Sequence, residues 1–197
     1  FAFLADHEHT LTYIILSYLD PWFCCNKDRT AVLKCWESLG GAKDTLIKEY
    51  GDDVTRWKGV TVENGRVVKV YWGRMGLTGH LTSEIGELDC LRHLCLHDNE
   101  IGSIPTEVGK LSSLTFLDLH GNQLTDLPRE LGNLRSLTDL SIGRNGLSIL
   151  PSTLANLTNL KYLSLYNNNF SIDVPKNFYT KGKIQTFLAT LKSTGKN

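Results

Sequence analysis

The sequence has no excess of either charge, no long apolar run and no regular cysteine spacing. Lysine plus arginine number 21, as do aspartate plus glutamate, so the formal net charge is zero. Nucleic-acid binding proteins normally carry a basic excess or stripe, and attachment to anionic lipid by charge alone needs basic residues as well. The composition therefore argues against both classes.

The longest apolar run, Tyr13-Ile-Ile-Leu16, is much shorter than the about 20 residues that a membrane-spanning helix needs. Acidic and histidine residues at 6–9 precede it, where a signal peptide would be positively charged. We therefore predict no membrane span and no signal peptide in this stretch. Because the first residue is Phe1, we expect the chain to be part of a longer product, and removal of a targeting segment stays open.

The cysteines lie at irregular intervals: Cys24, Cys25, Cys35, Cys90 and Cys95. An odd number with this spacing fits neither a disulfide framework nor a zinc ribbon. It favours a reducing, intracellular location, with the cytoplasm as the expected compartment. The sequons at 156–158 and 169–171 favour secretion only weakly, because such triplets are frequent by chance in an Asn-rich sequence, so secretion stays an alternative.

Four segments between Leu91 and Phe178 have nearly the same sequence. Three of them start at Leu91, Leu114 and Leu137, at intervals of 23 residues, and a fourth starts at Leu160 and diverges towards its end. A period of this length headed by LxxLxLxxN is the signature of leucine-rich repeats. Such solenoids present a long surface for binding and no obvious catalytic pocket.

Each repeat has the pattern of a strand followed by a turn and a short return. Leu94 and Leu96 alternate with outward residues, as in a strand with one buried face. An asparagine then falls where the chain leaves the strand, and its amide can satisfy buried backbone groups. The predicted ladder of amides consists of Asn99, Asn122, Asn145 and Asn168. Pro105 is expected to open a helical or 3₁₀ return on the other side of the core.

An irregular unit precedes these repeats, so that five parallel strands are expected. Val67, Val70 and Trp72 take the inward strand positions, and Met75 replaces the ladder asparagine. The segment Leu77-Thr-Gly-His-Leu81, with Glu84-Ile-Gly-Glu-Leu88, resembles the plant-type leucine-rich repeat family. The resemblance implies an α/β solenoid, right-handed, with a helical cap at each end.

The segment before the first strand resembles the amino-terminal cap of that family. Its matching elements are Asp28-Arg-Thr-Ala-Val32, Trp36, Gly40-Gly41, Trp57-Lys-Gly-Val60 and Glu63-Asn-Gly-Arg-Val67. Secreted plant receptors carry a cysteine pair around the W-x-G-V element, where this chain has Thr55 and Val62. The missing pair favours a reducing setting over a receptor ectodomain.

A helix is expected to close the other end of the solenoid. Ile184, Phe187, Leu188 and Leu191 fall at helical spacing and can cover the open core of the last repeat. The predicted organisation is a helical segment at 1–27, a helical cap at 28–66, repeats at 67–90, 91–113, 114–136, 137–159 and 160–178, and a capping helix with a tail at 179–197.

The outward strand positions form one face of the sheet, which we call the sheet face and expect to be the concave side. Aromatic side chains on an exposed face are the usual anchors of protein interfaces. An exposed Phe116 in particular indicates a partner. The residues predicted to bind it are Tyr71, Arg74, His93, His97, Phe116, Asp118, His120, Asp139, Arg144, Tyr162 and Tyr166.

Metal binding and catalysis are not expected on this face. His93, Cys95, His97, Asp118 and His120 offer zinc-type donors, but a flat parallel sheet should spread them rather than converge them on an ion. A Cys95–His97 nucleophile pair has no third orienting group. The sequence therefore predicts no enzyme activity, no catalytic residue, no cofactor and no metal.

Two interpretations stay open for the first 40 residues. Leu11 to Leu19 predict an amphipathic helix that ends at Asp20-Pro21 and packs on the cap. The segments Ile15–Pro21 and Val32–Trp36 also resemble the two helices of an F-box, although the gap between them is slightly too long.

The function predicted from the sequence is protein recognition by an intracellular scaffold or signalling module, including a subunit of a larger complex. The alternatives are a substrate-recognition adaptor of a ubiquitin ligase, which follows from the F-box resemblance, and an extracellular receptor-like domain. The identity of the partner does not follow from any residue pattern.

Overall fold

The computed structural model describes residues 25–41, 51, 53–170 and 177–193. Helix α1 spans Asn26–Ser38, and helix α2 spans Lys181–Ser193. The strands are β1 Val60–Glu63, β2 Arg66–Tyr71, β3 Thr78–His80, β4 His93–Cys95, β5 Glu100–Ser103, β6 Phe116–Asp118, β7 Asp139–Ser141, β8 Tyr162–Ser164 and β9 Asn177–Phe178. Residues 1–24 of the helical segment predicted at 1–27 lie outside the described residues, as do 42–50 and 52 of the predicted cap, 171–176 and the tail at 194–197.

Five strands form a parallel, in-register sheet, which confirms the count made from the repeats. They are β2, β4, β6, β7 and β8, and each repeat unit contributes one of them. Antiparallel strands extend this sheet at both ends, β1 beside β2 and β9 beside β8. Strands β3 and β5 form a second, two-stranded parallel sheet. The antiparallel end strands and the second sheet were not predicted.

Short 3₁₀ helices return the chain on the other side of the core. They span Ser83–Glu87, Thr106–Lys110, Arg129–Asn133 and Ser152–Asn156. A proline stands immediately before the last three of them, at 105, 128 and 151. Its fixed φ suits the start of a helix, and its missing N–H is not needed there. The return predicted at Pro105 is confirmed.

The core lies between the sheet and these helices. The inward residues at the middle of each parallel strand are at most 1% exposed: Val70, Leu94, Leu117, Leu140 and Leu163. Because each unit is open on both sides until its neighbours stack, this core is continuous through the solenoid.

The asparagine ladder joins successive units. The Asn122 amide nitrogen donates to the carbonyl oxygens of Leu96 and Leu119, both at 3.0 Å, and its oxygen accepts from the backbone of Ile101 at 3.0 Å. Equivalent bonds to the preceding unit are made by Asn99, one repeat before Asn122, and by Asn145 and Asn168, one and two repeats after it. The predicted ladder is confirmed, and each amide satisfies backbone groups of its own unit and of the preceding one.

The amino-terminal cap is joined to the sheet by a buried ion pair. Asp28, in the first turn of α1, is fully buried and accepts from Arg66 Nε at 3.1 Å and Nη2 at 3.0 Å. The same carboxylate accepts from the backbone N–H of Val67 at 2.8 Å. Trp36 of α1 packs edge-on against Trp72, with ring centroids 5.1 Å apart. The cap motif therefore fixes α1 to β2 by both a salt bridge and a pair of indoles.

The opposite end is closed by α2. Ile184 and Leu188 are buried in the core, and Phe187 packs against Phe178 of β9 with ring centroids 4.8 Å apart and an interplanar angle of 31°. The Gln185 amide nitrogen donates to the carbonyl oxygen of Leu157 at 2.9 Å. The predicted capping helix is confirmed by these contacts.

A second polar contact links α1 to the first 3₁₀ helix. Lys34 Nζ donates to Glu84 Oε1 at 2.8 Å, and the Thr82 hydroxyl donates to Glu84 Oε2. These bonds, that from Lys34 most of all, lower the pKa of the Glu84 carboxyl from its ordinary 4.5 to about 2. Because this pKa is depressed in the folded chain, the contact stabilises the fold above pH 4.5, and its contribution is lost as the pH falls towards 2.

In a Lys34→Gln variant we expect the pKa of Glu84 to rise towards its ordinary value, because the largest cause of its depression is gone. Carboxyl NMR titration of the folded chain measures this directly. A Lys27→Gln variant is the matched control, since Lys27 pairs with Glu87 and Asp89 instead. A Glu84 pKa that stays near 2 without Lys34 would show that Lys34 does not set it.

Candidate functional site

The register of the strands places the predicted binding residues in columns across the sheet face. Lys69, His93, Phe116, Asp139 and Tyr162 are direct neighbours from one strand to the next. Parallel in-register strands lie about 4.8 Å apart, so equivalent side chains on successive repeats stack on one another. Residues about 23 positions apart in the sequence are therefore close enough to touch on the sheet face.

Aromatic rings run across the first three strands of the sheet face. The ring centroids of Tyr71 and His93 are 6.4 Å apart, and those of His93 and Phe116 are 5.8 Å apart and stacked. The Tyr71 ring is the most exposed of the three, with 43% of the residue accessible. At the far end, Tyr162 lies against Tyr179, with centroids 5.4 Å apart. Tyr179 is 70% exposed and was missed in the sequence, because it follows the last repeat and belongs to no column.

A shallow depression of about 280 Å³ lies between β6, β7 and β8. Its rings come from Phe116, Tyr162 and Tyr166, and its carboxylates from Asp118 and Asp139. Tyr166 lies directly over Gly143, where a Cβ would stand 2.6 Å from the ring. The glycine thus gives the tyrosine its place on the sheet, and the depression combines apolar walls with negative charge.

Burial corrects three expectations about this face. Phe116 was expected to be exposed, but it is half-buried because His93 stacks on it. Cys95 and Ser164 stand at outward positions of the strands, yet they are only 5% and 0% exposed. Ser164 is covered because its hydroxyl bonds Asn177 of the antiparallel end strand at 2.6 Å. The face available to a partner is thus narrower than the alternation of residues implies.

Burial also removes the nucleophile that the sequence offered. Desolvation raises the pKa of the Cys95 thiol to about 11 and that of Cys35 to about 12. Neither thiol is ionised near pH 7, and only the thiolate is a nucleophile. The four described cysteines form no disulfide with one another.

Each parallel strand leads into a turn at one edge of the sheet face, and three of these five turns carry a charged side chain. Arg74, Asp98, Arg144 and Asn167 have left-handed φ values of 58°, 51°, 52° and 53°. Gly121 takes the same place in the middle repeat, where a Cβ would lie 2.4 Å from Asp98 Oδ1. Asp98 therefore reaches over Gly121, with Arg74 Nε at 3.0 Å and Arg144 Nη1 at 3.6 Å.

Two histidines lie beside this carboxylate. The rings of His97 and His120 stack with centroids 5.1 Å apart and an interplanar angle of 7°. His97 Nδ1 is 3.3 Å from Asp98 Oδ2, and His120 Nε2 is 3.6 Å from Asp98 Oδ1. The expectation that the sheet spreads these donors is wrong for this pair, because stacking of equivalent positions brings them together. Cys95 is buried, and no contact joins His93 to this group.

The charge around His93 differs from that in the depression. Burial, together with the positive charges of Lys69 and Arg92, lowers the pKa of the His93 imidazole. Arg92 itself pairs with Glu63 of the amino-terminal hairpin. The amino-terminal part of the sheet face is therefore basic and aromatic, whereas the depression is acidic and aromatic.

The repeats and their geometry are those of a known class of solenoid. A sequence profile for the leucine-rich repeat region matches residues 65–186. The chain therefore belongs to the leucine-rich repeat family. Its solved structural relatives show in addition that its repeats are of the plant type.

Three such relatives are receptor ectodomains from Arabidopsis thaliana. The ectodomain of the membrane receptor kinase GASSHO1/SCHENGEN3, solved with CASPARIAN STRIP INTEGRITY FACTOR 2, is 35% identical with a TM-score of 0.65, over 72% of this chain and 18% of that one. The SOBIR1 receptor kinase ectodomain is 27% identical with a TM-score of 0.63, over 78% of this chain and 86% of that one. For the BIR2 ectodomain the identity is 27% and the TM-score 0.62, over 73% and 83% of the two chains.

The chain thus spans less than a fifth of the first of these receptors, and most of the other two. No curated protein sequence matches it significantly. Among the described residues, no helix has the length and apolarity to cross a bilayer. These relatives are ectodomains, and they give no support to the cytoplasmic location expected from the cysteines.

Proposed function

We propose that the chain is a non-enzymatic protein-recognition module that binds a protein partner through the sheet face. The observation that carries this proposal is the aromatic depression between β6, β7 and β8. The residues proposed to contact the partner are Tyr71, Arg74, His93, His97, Phe116, Asp118, His120, Asp139, Arg144, Tyr162 and Tyr166. A leucine-rich repeat fold supports an interaction module of this kind.

The shape of the site favours a polypeptide over a small molecule. Small-molecule sites are concave enough to bury most of the ligand, whereas this depression is shallow and continues into a row of rings on both sides. Rings that expose one flank are the usual anchors of protein interfaces. Asp118 and Asp139 line the depression, so the partner segment that fits it carries an apolar side chain flanked by basic ones.

A second candidate is a receptor-like extracellular domain, which the ectodomain relatives favour. The relatives include one ectodomain solved with a protein factor and a BIR3–SERK2 complex. The irregular cysteine spacing and the absent cap pair favour a reducing compartment instead. Glycans on Asn156 or Asn169 of the native protein, detected by mass spectrometry, would decide for the extracellular candidate.

The adaptor alternative receives less support from the cap. Val32, Cys35 and Trp36, which make up the second part of the F-box resemblance, are buried in the core of the solenoid. The first part, at 15–21, lies outside the described residues. The F-box hypothesis is tested by binding of a Skp-type adaptor to residues 1–40, and absence of binding would contradict it.

The proposal is tested by affinity capture from native extract with the parent chain and a Phe116→Ala, Tyr162→Ala, Tyr166→Ala variant. Because anchors of this kind each contribute about 2 kcal/mol or more, we expect the variant to lose the captured partner at least 100-fold. The matched control is Ile149→Ser, which changes an exposed apolar residue outside the sheet face.

Both variants must melt like the parent for the comparison to hold. The proposal would be contradicted if the triple variant kept the partner and Ile149→Ser lost it. The binding surface would then lie beside the 3₁₀ helices. In that region Ile149, Leu127 and Pro151 line a second depression of about 460 Å³.

A further inference from the structure

The edge of the sheet face holds three metal-type donors that face one another. Among the described residues, His97, Asp98 and His120 each offer a ligand atom, and these atoms all lie within 4.8 Å of one another. All three residues are half-buried, so the group is open to solvent on one side. The partner surface proposed above does not depend on these three donor atoms lying so close together.

His120 is oriented for ligation by a second carboxylate. Its Nδ1 lies 2.9 Å from Asp118 Oδ1, and the backbone N–H of His120 donates to the same oxygen at 3.1 Å. With Nδ1 as the donor, Nε2 carries the lone pair, and Nε2 is the atom that faces Asp98. Metal-binding histidines almost always donate their other ring nitrogen in this way, which fixes the ring and raises its basicity.

His97 and Asp98 complete the group from the adjacent strand. The stacked rings keep the two imidazoles one strand spacing apart, and the left-handed turn at Asp98 directs its carboxylate between them. Arg74 Nε donates to Asp98 Oδ2 at 3.0 Å, while Asp98 Oδ1 is the oxygen that lies 3.6 Å from His120 Nε2.

We propose that His97, Asp98 and His120 form a binding site for a divalent transition-metal ion of the zinc type. Two imidazole nitrogens and one carboxylate oxygen are the donor set that Zn²⁺ takes in sites with an open fourth position. Bond lengths of about 2.0–2.2 Å require the three side chains to close on the ion. An ion lies in the plane of each imidazole that binds it, so at least one of the two stacked rings must turn out of the parallel arrangement. Asp118 positions His120 and does not touch the ion.

Two arginines oppose the ion and make the site conditional. Arg74 Nε holds Asp98 Oδ2 at 3.0 Å, and Arg144 Nη1 lies 3.6 Å from Asp98 Oδ1. The Arg74 side chain is 76% exposed, so it can swing into solvent when the ion takes its place. A variant that lacks the Arg74 guanidinium should therefore bind the ion more tightly than the parent.

The test is calorimetric titration of Zn²⁺, as the chloride, into the full chain in chelator-free buffer at pH 7.5. We expect one ion per chain, a loss of at least 100-fold in affinity for His97→Ala and His120→Ala, and a 10- to 100-fold loss for Asp118→Asn. Arg74→Gln should raise the affinity severalfold.

His93→Ala is the matched control on the same face, and a His7→Ala, His9→Ala double variant controls for histidines outside the described residues. Both are expected to keep the parent affinity. Because a variant can misfold, each is also melted with and without Zn²⁺, and only the parent, Arg74→Gln and the controls should gain stability. No zinc binding by the parent, or equal binding by His120→Ala, overturns the proposal. Partner capture is measured separately, with the Phe116→Ala, Tyr162→Ala, Tyr166→Ala variant, so failure of the metal site and failure of the proposed function are distinguishable.

Discussion

Replacing Asp28 with alanine is expected to lower the free energy of unfolding by about 3–5 kcal/mol, the usual effect of breaking a buried ion pair from one side. The carboxylate is completely buried and accepts three hydrogen bonds, two from Arg66 and one from the Val67 backbone. Without it, the guanidinium loses its main partner and a buried N–H is left unsatisfied. Urea unfolding followed by circular dichroism measures the loss.

Asp89→Ala is the matched control, because Asp89 also binds Arg66 but its side chain is 52% exposed. Exposed ion pairs contribute about 0–1 kcal/mol. Asp28→Asn should fall between the two variants, since it keeps an acceptor but not the charge. If Asp28→Ala and Asp89→Ala lowered the free energy of unfolding by similar amounts, burial of the Asp28 carboxylate would not be the reason for its contribution to stability.

Replacing Asn122 with leucine is expected to cost about 3–5 kcal/mol, although the two side chains are similar in size. The amide is 8% exposed and serves the backbone groups of Leu96, Leu119 and Ile101. A leucine leaves the Ile101 N–H buried without its acceptor, at about 1–3 kcal/mol, and removes one donor from each of the two carbonyls, at about 0.5–1.5 kcal/mol each. The carbonyls of Leu96 and Leu119 keep their bonds from Asn99 and Asn145. Because each repeat is stable only when stacked on its neighbours, we expect a lower melting temperature for the whole solenoid and not only local fraying.

The control is Asn159→Leu, which also removes an amide that bridges two repeats. Asn159 Nδ2 donates to the carbonyl oxygen of Arg135 at 2.9 Å, but the residue is exposed, so water can replace the bond. We expect a change within about 0.5 kcal/mol. If Asn122→Leu and Asn159→Leu lowered the free energy of unfolding by the same amount, burial would not explain the contribution of the ladder amides to stability.

Local patterns were enough to predict the repeats. The inward leucines and the asparagine ladder recur at a fixed interval, and a proline stands before three of the four returns. The structure of each unit can therefore be predicted from its own sequence. The capping helix was found for the same reason, since Ile184 and Leu188 follow helical spacing. The antiparallel strands β1 and β9 were missed, because they occur once each and their pairing has no period.

Only part of the geometry of the sheet face could be predicted. Equivalent positions of successive repeats are neighbours across the sheet, and this follows from the repeat length. The exposure of Phe116 was not correctly foreseen, because it depends on the ring of His93, 23 residues earlier. The group around Asp98 was missed for a different reason. Asp98 stands in a turn, and its side chain crosses to neighbouring repeats only because Gly121 leaves room for it.

The sequence by itself determined the solenoid, its core and the order of its repeats, because these depend on spacings within one unit and its copy. Only the tertiary structure decided the salt bridge between Asp28 and Arg66, which are 38 residues apart. It also decided that the donor atoms of His97, Asp98 and His120 lie close together. Both depend on the distance between side chains in different units. That distance is set by how the chain stacks, and no pattern within a single repeat records it.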